Sequence, residues 1–181
     1  MAIAGRTLSG MKLRGLAGSV LVTALAAFGA SCKKSEEPAQ AAPRSLKEGL
    51  PSFTVGGQDE TDVSIVVDKG TSRDGLRALV LAFRTAREQD RFRELIPPTT
   101  PKGNAGPYAI VNIYVMDDPT WANAEHLRIS VSDDVSKKFE KEFDAHTLAF
   151  YGLNQVGGVT EQGMLGPNNG TGSEKLFSKG M

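Results

Sequence analysis

Two histidines are the residues of this chain best suited to acid–base chemistry, and each has an acidic neighbour. Glu125 directly precedes His126, and Asp144 lies two residues before His146. Residues two apart on a strand share a face, so Asp144 could orient His146 as a general base. No serine or cysteine lies in a recognisable nucleophile motif, so a hydrolytic triad would lack its third member. We therefore assign no catalytic residue and expect both histidines to serve packing or surface roles.

Five arginines recur along one predicted helix and form a possible anion-binding stripe. At 100° per residue they point within about 40° of one direction. A row of guanidinium groups can bind phosphate or carboxylate groups, including those of lipid headgroups. The alternative is a solvated helix face supported by an Arg84–Glu88 pair. The stripe consists of Arg73, Arg77, Arg84, Arg87 and Arg91.

Acidic pairs and aromatic residues offer weaker candidates. Asp117-Asp118 and Asp133-Asp134, together with Asp59, Glu60 and Asp62, do not match the ligand spacing of a calcium loop. Caps and turns explain them, and two histidines are too few for a three-histidine zinc site. We therefore predict no metal and no cofactor. Aromatic residues could line a small-ligand or peptide cleft or belong to the core; they are Tyr108, Tyr114, Trp121, Phe150 and Tyr151.

The only cysteine, Cys32, follows a basic start and an apolar run. Lys12 and Arg14 precede the uncharged segment 15–28, and three small residues, 29–31, come next. This is the layout of a secretory signal peptide. The apolar run is too short for a membrane-spanning helix, which needs about 20 residues. Either Met1 or Met11 could be the start of translation. Met11 is a candidate because Met11-Lys12-Leu13-Arg14 is a conventional start of a signal peptide.

The pattern resembles the signal of bacterial lipoproteins, whose cleavage box ends in two small residues and a cysteine. Ala30, Ser31 and Cys32 fit that ending, and Gly29 stands where the family usually has leucine. The resemblance implies cleavage before Cys32, a diacylglycerol on its sulfur and a fatty acid such as palmitate on its new amine. Several acyl chains together anchor a protein stably, whereas one chain gives only marginal binding. The alternative is an ordinary signal that leaves an unpaired thiol.

The resemblance also implies a location. A lipid on Cys32 would hold the protein in the bacterial cell envelope, facing the periplasm. Lys33 is not the aspartate associated with inner-membrane retention in some bacteria, which slightly favours the outer membrane. Cleavage would leave 150 residues with 18 basic and 21 acidic side chains. This balance gives no electrostatic reason to expect a nucleic acid partner.

The mature chain predicts one small domain between a tether and a tail. Residues 32–59 mix charged, proline, alanine and glycine residues without apolar periodicity, which is typical of a flexible tether. Residues 60–165 predict a single α+β or α/β sandwich of about four strands and two to three helices. Residues 166–181 predict a flexible tail. Apolar residues at 50, 53 and 55 could add a short edge segment at the domain boundary.

Hydrophobic periodicity places the elements within that domain. Alternation predicts strands at 61–67, 108–116, 127–131 and 146–151, with a last short strand within 157–165. Caps and helical spacing predict helices from Thr71 to about Arg87, from Asp118 to about Glu125, and from Asp133 or Asp134 through Phe143.

These features together predict a lipid-anchored, non-enzymatic accessory module that binds a protein partner or envelope component. The first alternative is a small-ligand-binding lipoprotein, and the second is a hydrolase-like enzyme that uses His146 with Asp144. The prediction depends on the anchor, the size of the domain and the lack of a catalytic constellation.

Overall fold

A computed structural model describes residues 44–167 and 172–180, which form an α+β domain. The predicted signal, Cys32 and the first part of the predicted tether lie outside the described residues. The strands are β1 (Phe53–Asp59), β2 (Asp62–Val67), β3 (Ile110–Met116), β4 (Thr147–Asn154), β5 (Thr160–Leu165) and β6 (Glu174–Lys179). The helices are α1 (Arg73–Glu88), α2 (Ala124–Ser130) and α3 (Lys137–His146), with a short 3-10 turn at Phe92–Glu94.

The six strands form one mixed sheet in sequential order, β1-β2-β3-β4-β5-β6. Strands β2 and β3 are parallel, because α1 carries the chain back across the sheet between them, and all other neighbours are antiparallel. Of the two expected classes, α+β and α/β, the structure shows α+β, and its three helices agree with the expected two to three. The expected number of about four strands is too low.

Helix α1 covers one face of the sheet, which we call the α1 face. Ser72 caps the helix by accepting a hydrogen bond from the Gly75 amide at 3.1 Å. The predicted cap, Thr71, instead donates to the Asp68 carbonyl. The helix packs on alternate residues of β2, β3 and β4, such as Val63, Val111 and Tyr151. Its buried residues are Leu76, Leu79, Val80, Phe83 and Ala86.

Helices α2 and α3 cover part of the opposite face, which we call the α3 face. Leu127 of α2 and Phe143 of α3 are buried there with Met116 and Ala122. The backbone before α2 lies directly on β1. A Cβ atom at Gly57 would lie 2.4 Å from the Ala124 nitrogen, so only glycine permits this approach.

The predicted strand at 127–131 is wrong, because these residues form most of α2 and its C-cap. Three alternating apolar residues are compatible with either a strand or a helical turn, and local capping decides between them. Asn123 accepts a hydrogen bond from the His126 amide at 2.9 Å and starts the helix there. The predicted helix from Asp118 to Glu125 is therefore also wrong, and Asp118 instead forms a turn with Thr120.

Both predicted ends of the domain need correction. Residues 53–59, placed in the tether apart from an edge segment, form β1, and Leu46 and Leu50 pack against the core of the α1 face. Within the predicted tail, residues 174–179 form β6, which pairs with β5. Neither edge strand was predicted, because both have a mixed polar composition without apolar alternation. An edge strand buries little apolar surface and does not need that alternation.

No helix in the described part of the chain is long and apolar enough to cross a membrane.

Candidate functional site

The five arginines of the predicted stripe all lie against carboxylates of their own chain. Arg73 and Arg77 both bind Glu174 of β6. The other pairs are Arg84 with Glu88, Arg87 with Glu161, and Arg91 with Glu94. An external anion at the stripe would have to compete with these carboxylates. The pairs with Glu174 and Glu161 join α1 to strands β6 and β5, whereas the other two pairs are local in sequence.

Arg87 forms the most buried of these pairs. Its Nε and Nη2 atoms donate to the two Glu161 oxygens, each at 3.1 Å, and the Tyr151 hydroxyl donates to the same carboxylate at 2.8 Å. The Glu161 side chain has no exposed surface, and burial followed by the Glu161 interaction raises the pKa of Tyr151. Opposite charges compensate each other inside the chain, so this network is structural.

His146 does not lie on a strand with Asp144, as the sequence predicted. Both residues belong to α3, where residues two apart in sequence point to nearly opposite sides of the helix. The His146 Nδ1 atom instead lies 2.9 Å from the Asp117 carboxylate, which follows β3. Within residues 44–167 and 172–180, no hydroxyl forms a hydrogen bond to this imidazole. The pair joins the end of α3 to the end of β3.

The second histidine also has a local partner. The Asn123 side-chain nitrogen lies 3.2 Å from His126 Nδ1, so the imidazole engages the residue that caps α2, and no contact with Glu125 is involved. Trp121 lies next to both imidazole rings, with centroids 4.7 Å from His126 and 5.4 Å from His146. These contacts fit packing roles for both histidines.

The acidic pairs are dispersed in turns and caps. Asp118 accepts hydrogen bonds from Thr120, and Asp59 lies 3.6 Å from Arg128. Asp133 and Asp134 are exposed and precede α3, whose N-cap is Ser136. Among the described residues, no group of three or more histidine, cysteine or acidic side chains could hold a metal ion.

A partly enclosed cavity of about 150 Å³ lies between α3, the α2–α3 loop and the sheet. We call it the α3 cleft. Strands β3 and β4, the end of α2, the loop and α3 all contribute to its wall. The lining side chains are Tyr114, Ser130, Val135, Glu140, Phe143, Asp144 and Thr147.

The three hydroxyl groups of the cleft donate their protons within the protein. Tyr114 donates to Asp62 at 3.4 Å, Ser130 to the Leu127 carbonyl at 2.8 Å and Thr147 to the Phe143 carbonyl at 2.9 Å. A hydroxyl that donates elsewhere still has lone pairs to accept a hydrogen bond. None of the lining side chains is a lysine, arginine or histidine. The polar side chains of the cleft are therefore disposed as acceptors.

Behind Tyr114 lies Asp62, a carboxylate that forms no ion pair with any cation of residues 44–167 and 172–180. It accepts hydrogen bonds from Thr61 and Asn112, each at 3.1 Å, and from Tyr114. Burial raises the pKa of Asp62, although these hydrogen bonds act in the opposite direction. Burial also raises the pKa of Tyr114, and the nearby charge of Asp62 adds to that effect.

Asp144 and Glu140 lie four residues apart on α3, so they occupy the same side of the helix. Partial burial raises the pKa of Asp144, and the charge of Glu140 raises it further. In the region that the structure describes, neither carboxylate forms an ion pair. The cleft therefore carries two carboxylates that no ion pair of the described chain neutralises.

Sequence analysis identified parts of this cleft but not their association. Tyr114 was among the aromatic residues proposed to line a cleft, Asp62 was grouped with a possible metal cluster, and Asp144 was paired with His146. Asn112 and Tyr114 are two residues apart in β3 and therefore share a face of the sheet. The Asp62–Asn112 register across parallel strands leaves no local signal in the sequence.

No protein-family model matches this chain, and no curated protein or solved structure is significantly similar to it.

Proposed function

We propose that this chain is a lipid-anchored protein of the bacterial cell envelope whose domain is a non-enzymatic binding module. Cys32 would carry the lipid, and the domain would face the periplasm, with the outer membrane slightly favoured. The residues that support the anchor are the basic start, the apolar run and the Ala30-Ser31-Cys32 ending. The binding role is supported by the α3 cleft.

The observation that carries the binding role is the unpaired charge of the cleft. On the α1 face, the buried Glu161 carboxylate binds Arg87. In the α3 cleft, Asp144 and Glu140 have no such partner among the described residues, although Asp144 is partly buried. A folded protein stabilises buried charge by pairing it. An unpaired, partly buried carboxylate in a cavity is therefore disposed to bind a group from outside the domain.

The size of the cleft limits its occupant. Binding sites for drug-sized molecules usually have volumes of about 300–1,000 Å³, whereas the α3 cleft has about 150 Å³. A cavity of about 150 Å³ accommodates a molecule of the size of benzene. The cleft therefore fits either a small ligand or one side chain of a protein partner, and both belong to the proposed function.

The anchor is tested by replacing its attachment residue. Cys32→Ala should move the protein from the membrane fraction to the soluble periplasmic fraction and abolish labelling by an alkyne-tagged fatty acid. Loss of the sulfur removes the site of diacylglycerol attachment. If the variant stays in the membrane fraction and the wild-type protein takes up no label, the lipid anchor is wrong.

The cleft is tested by filling it. Val135→Trp places a large ring in the lining, whereas Val131→Trp alters an exposed residue of the same loop that is 57% accessible. Native mass spectrometry of protein released from membranes should show a bound species in wild type and Val131→Trp and none in Val135→Trp. Equal occupancy in the two variants would exclude the cleft as the binding site.

A further inference from the structure

The chemistry of the α3 cleft narrows the class of its occupant. This inference depends on the proposed function, because it assumes that the cleft binds something. We propose that the cleft receives an ammonium or guanidinium group, carried either by a small free amine or by a lysine or arginine side chain of a polypeptide.

Hydrogen-bonding capacity is the first argument. The hydroxyls of Tyr114, Ser130 and Thr147 donate to other groups of the protein, so they offer lone pairs to the cavity. Ammonium and guanidinium groups are donors without an acceptor, with three and five N–H groups respectively. A carboxylate or phosphate would instead meet acceptors from every polar side chain of the lining.

The aromatic walls provide a second, independent argument. Tyr114 and Phe143 both line the cleft, with ring centroids 5.4 Å apart and an interplanar angle of 74°. The face of an aromatic ring attracts a cation within about 6 Å of its centre. The apolar stem of a lysine, an arginine or an alkylamine can also pack on such rings and on Val135.

Charge is the third argument. Asp144 and Glu140 are close enough on α3 for the charge of one to raise the pKa of the other carboxyl. A cation placed between them would remove this repulsion and would replace solvent that the partly buried Asp144 has lost. The nearest carboxylate behind the wall, Asp62, adds negative potential through Tyr114. The exposed Lys137 and Lys141 of α3 are not part of the lining.

The test uses four small probes of similar size on the full-length protein released from membranes: n-butylammonium, n-butylguanidinium, n-butanol and butyrate. Binding is followed by two-dimensional amide NMR, with assigned signals of Asp144, Thr147 and Ser130. We expect saturable shifts with the two cations and none with the alcohol or the anion. Raising sodium chloride from 50 to 500 mM should weaken cation binding, because salt screens partly exposed charges.

A matched pair of variants on α3 tests the role of the carboxylates. Asp144→Asn keeps the shape of the side chain and should weaken n-butylammonium binding about tenfold or more, as expected for loss of a charge-assisted hydrogen bond. Glu142→Gln removes a charge from the same helix outside the lining and should change binding by less than about twofold, since exposed charges are screened. Equal effects of the two variants would overturn the inference.

The probes also separate this inference from the proposed function. If n-butanol or butyrate binds as well as n-butylammonium, the cleft is a binding site but the cation class is wrong. If no probe shifts any signal of the lining, the proposal of a cationic occupant is also wrong. The proposed binding function is then tested separately, by the comparison of Val135→Trp with Val131→Trp. Nα-acetyl-lysine amide and Nα-acetyl-arginine amide distinguish the two sources. Tighter binding than n-butylammonium indicates a polypeptide side chain, and weaker binding indicates a free amine.

Discussion

The two faces of the sheet differ in whether their buried carboxylates are paired with a cation of the described chain. On the α1 face, Glu161 is fully buried but binds Arg87 with both oxygens and accepts a hydrogen bond from Tyr151. On the α3 face, Asp62 and Asp144 form no ion pair with any described residue, and burial raises the pKa of both carboxyls. Charge that is neutralised within the chain stabilises a fold. Charge left unneutralised costs stability, which a partner can restore.

Apolar packing shows the same contrast. The core of the α1 face extends across β2, β3, β4 and β5 and is continuous along α1. The hydrophobic cluster beneath α2 and α3 is smaller, with Met116, Ala122, Leu127 and Phe143 as its buried residues and a cavity beside it. We infer that the α1 face maintains the sheet, whereas the α3 face can be altered with smaller effects on folding. Four substitutions test this division, in order of decreasing expected effect.

The largest effect is expected from Glu161→Ala on the α1 face. The variant removes the buried carboxylate from the Arg87 guanidinium, which is only 18% exposed, and leaves it the half-exposed Glu88 as its remaining acidic partner. Loss of one partner of a buried ion pair typically costs about 3 kcal/mol or more in the free energy of unfolding. Urea denaturation followed by circular dichroism measures this change. A loss below about 1 kcal/mol would mean that the Arg87–Glu161 pair contributes no more than a surface ion pair. The proposed difference in charge pairing between the α1 and α3 faces would then be wrong.

A smaller effect is expected from Gly57→Ala beneath α2. The new Cβ would lie 2.4 Å from the Ala124 nitrogen and 2.5 Å from the Asn123 carbonyl carbon, so the backbone before α2 must move. Such overpacking typically costs about 1–3 kcal/mol in the free energy of unfolding. Gly70→Ala is the control, because nothing lies within 4 Å of a Cβ at that position. Equal stability of the two variants would mean that β1 does not position α2.

A pH-dependent effect is expected from Asp62→Asn on the α3 face. Because the folded state raises the pKa of Asp62, this carboxyl stabilises the fold most below its unfolded pKa of about 4, and that contribution is lost as pH rises through the folded value. Asparagine does not titrate. The free energy of unfolding of the variant, relative to wild type, should therefore rise between pH 4 and pH 7.

Urea denaturation at several pH values between 4 and 7 measures this difference. Asp134→Asn, on the exposed α2–α3 loop, controls for the loss of one negative charge. A difference that stays constant with pH for Asp62→Asn would show that burial does not disfavour the ionised carboxylate.

The smallest effect is expected from Glu174→Ala. Glu174 binds Arg73 and Arg77 at the surface, where 41% of its side chain is exposed and water can solvate the separated charges. The denaturation midpoint should shift far less than in Glu161→Ala, and the shift should vanish in 0.5 M sodium chloride. A loss comparable to that of Glu161→Ala would show that β6 depends on this pair.

Local signals in the sequence predicted the central elements, because their residues bury apolar surface with clear periodicity. Strand β3 follows from a run of apolar residues interrupted only by Asn112, and helix α1 follows from the spacing of Leu76, Leu79 and Phe83. Edge strands β1 and β6 lack that periodicity. Helix α2 was predicted as a strand because its start depends on one hydrogen bond from the His126 amide to Asn123.

The candidate site was harder to predict than the fold, because its residues are distant in sequence. Asp62 and Asn112 are neighbours only through the register of β2 and β3, and Tyr114 contacts Asp62 for the same reason. The pairing of His146 with Asp117 likewise joins the end of α3 to the end of β3. Such contacts depend on tertiary structure, which hydrophobic patterns along the chain do not encode.

The packing of Leu46 and Leu50 against the core has a consequence for the reach of the domain. Arg91 fixes the same segment by donating to the Arg44 carbonyl at 2.9 Å. Under the proposed attachment at Cys32, only residues 33–44 remain to separate the lipid from the domain. Even fully extended, these residues span roughly 40 Å. Under that attachment, Arg44 would lie within this distance of the lipidated cysteine, which would keep the start of the domain close to the bilayer surface.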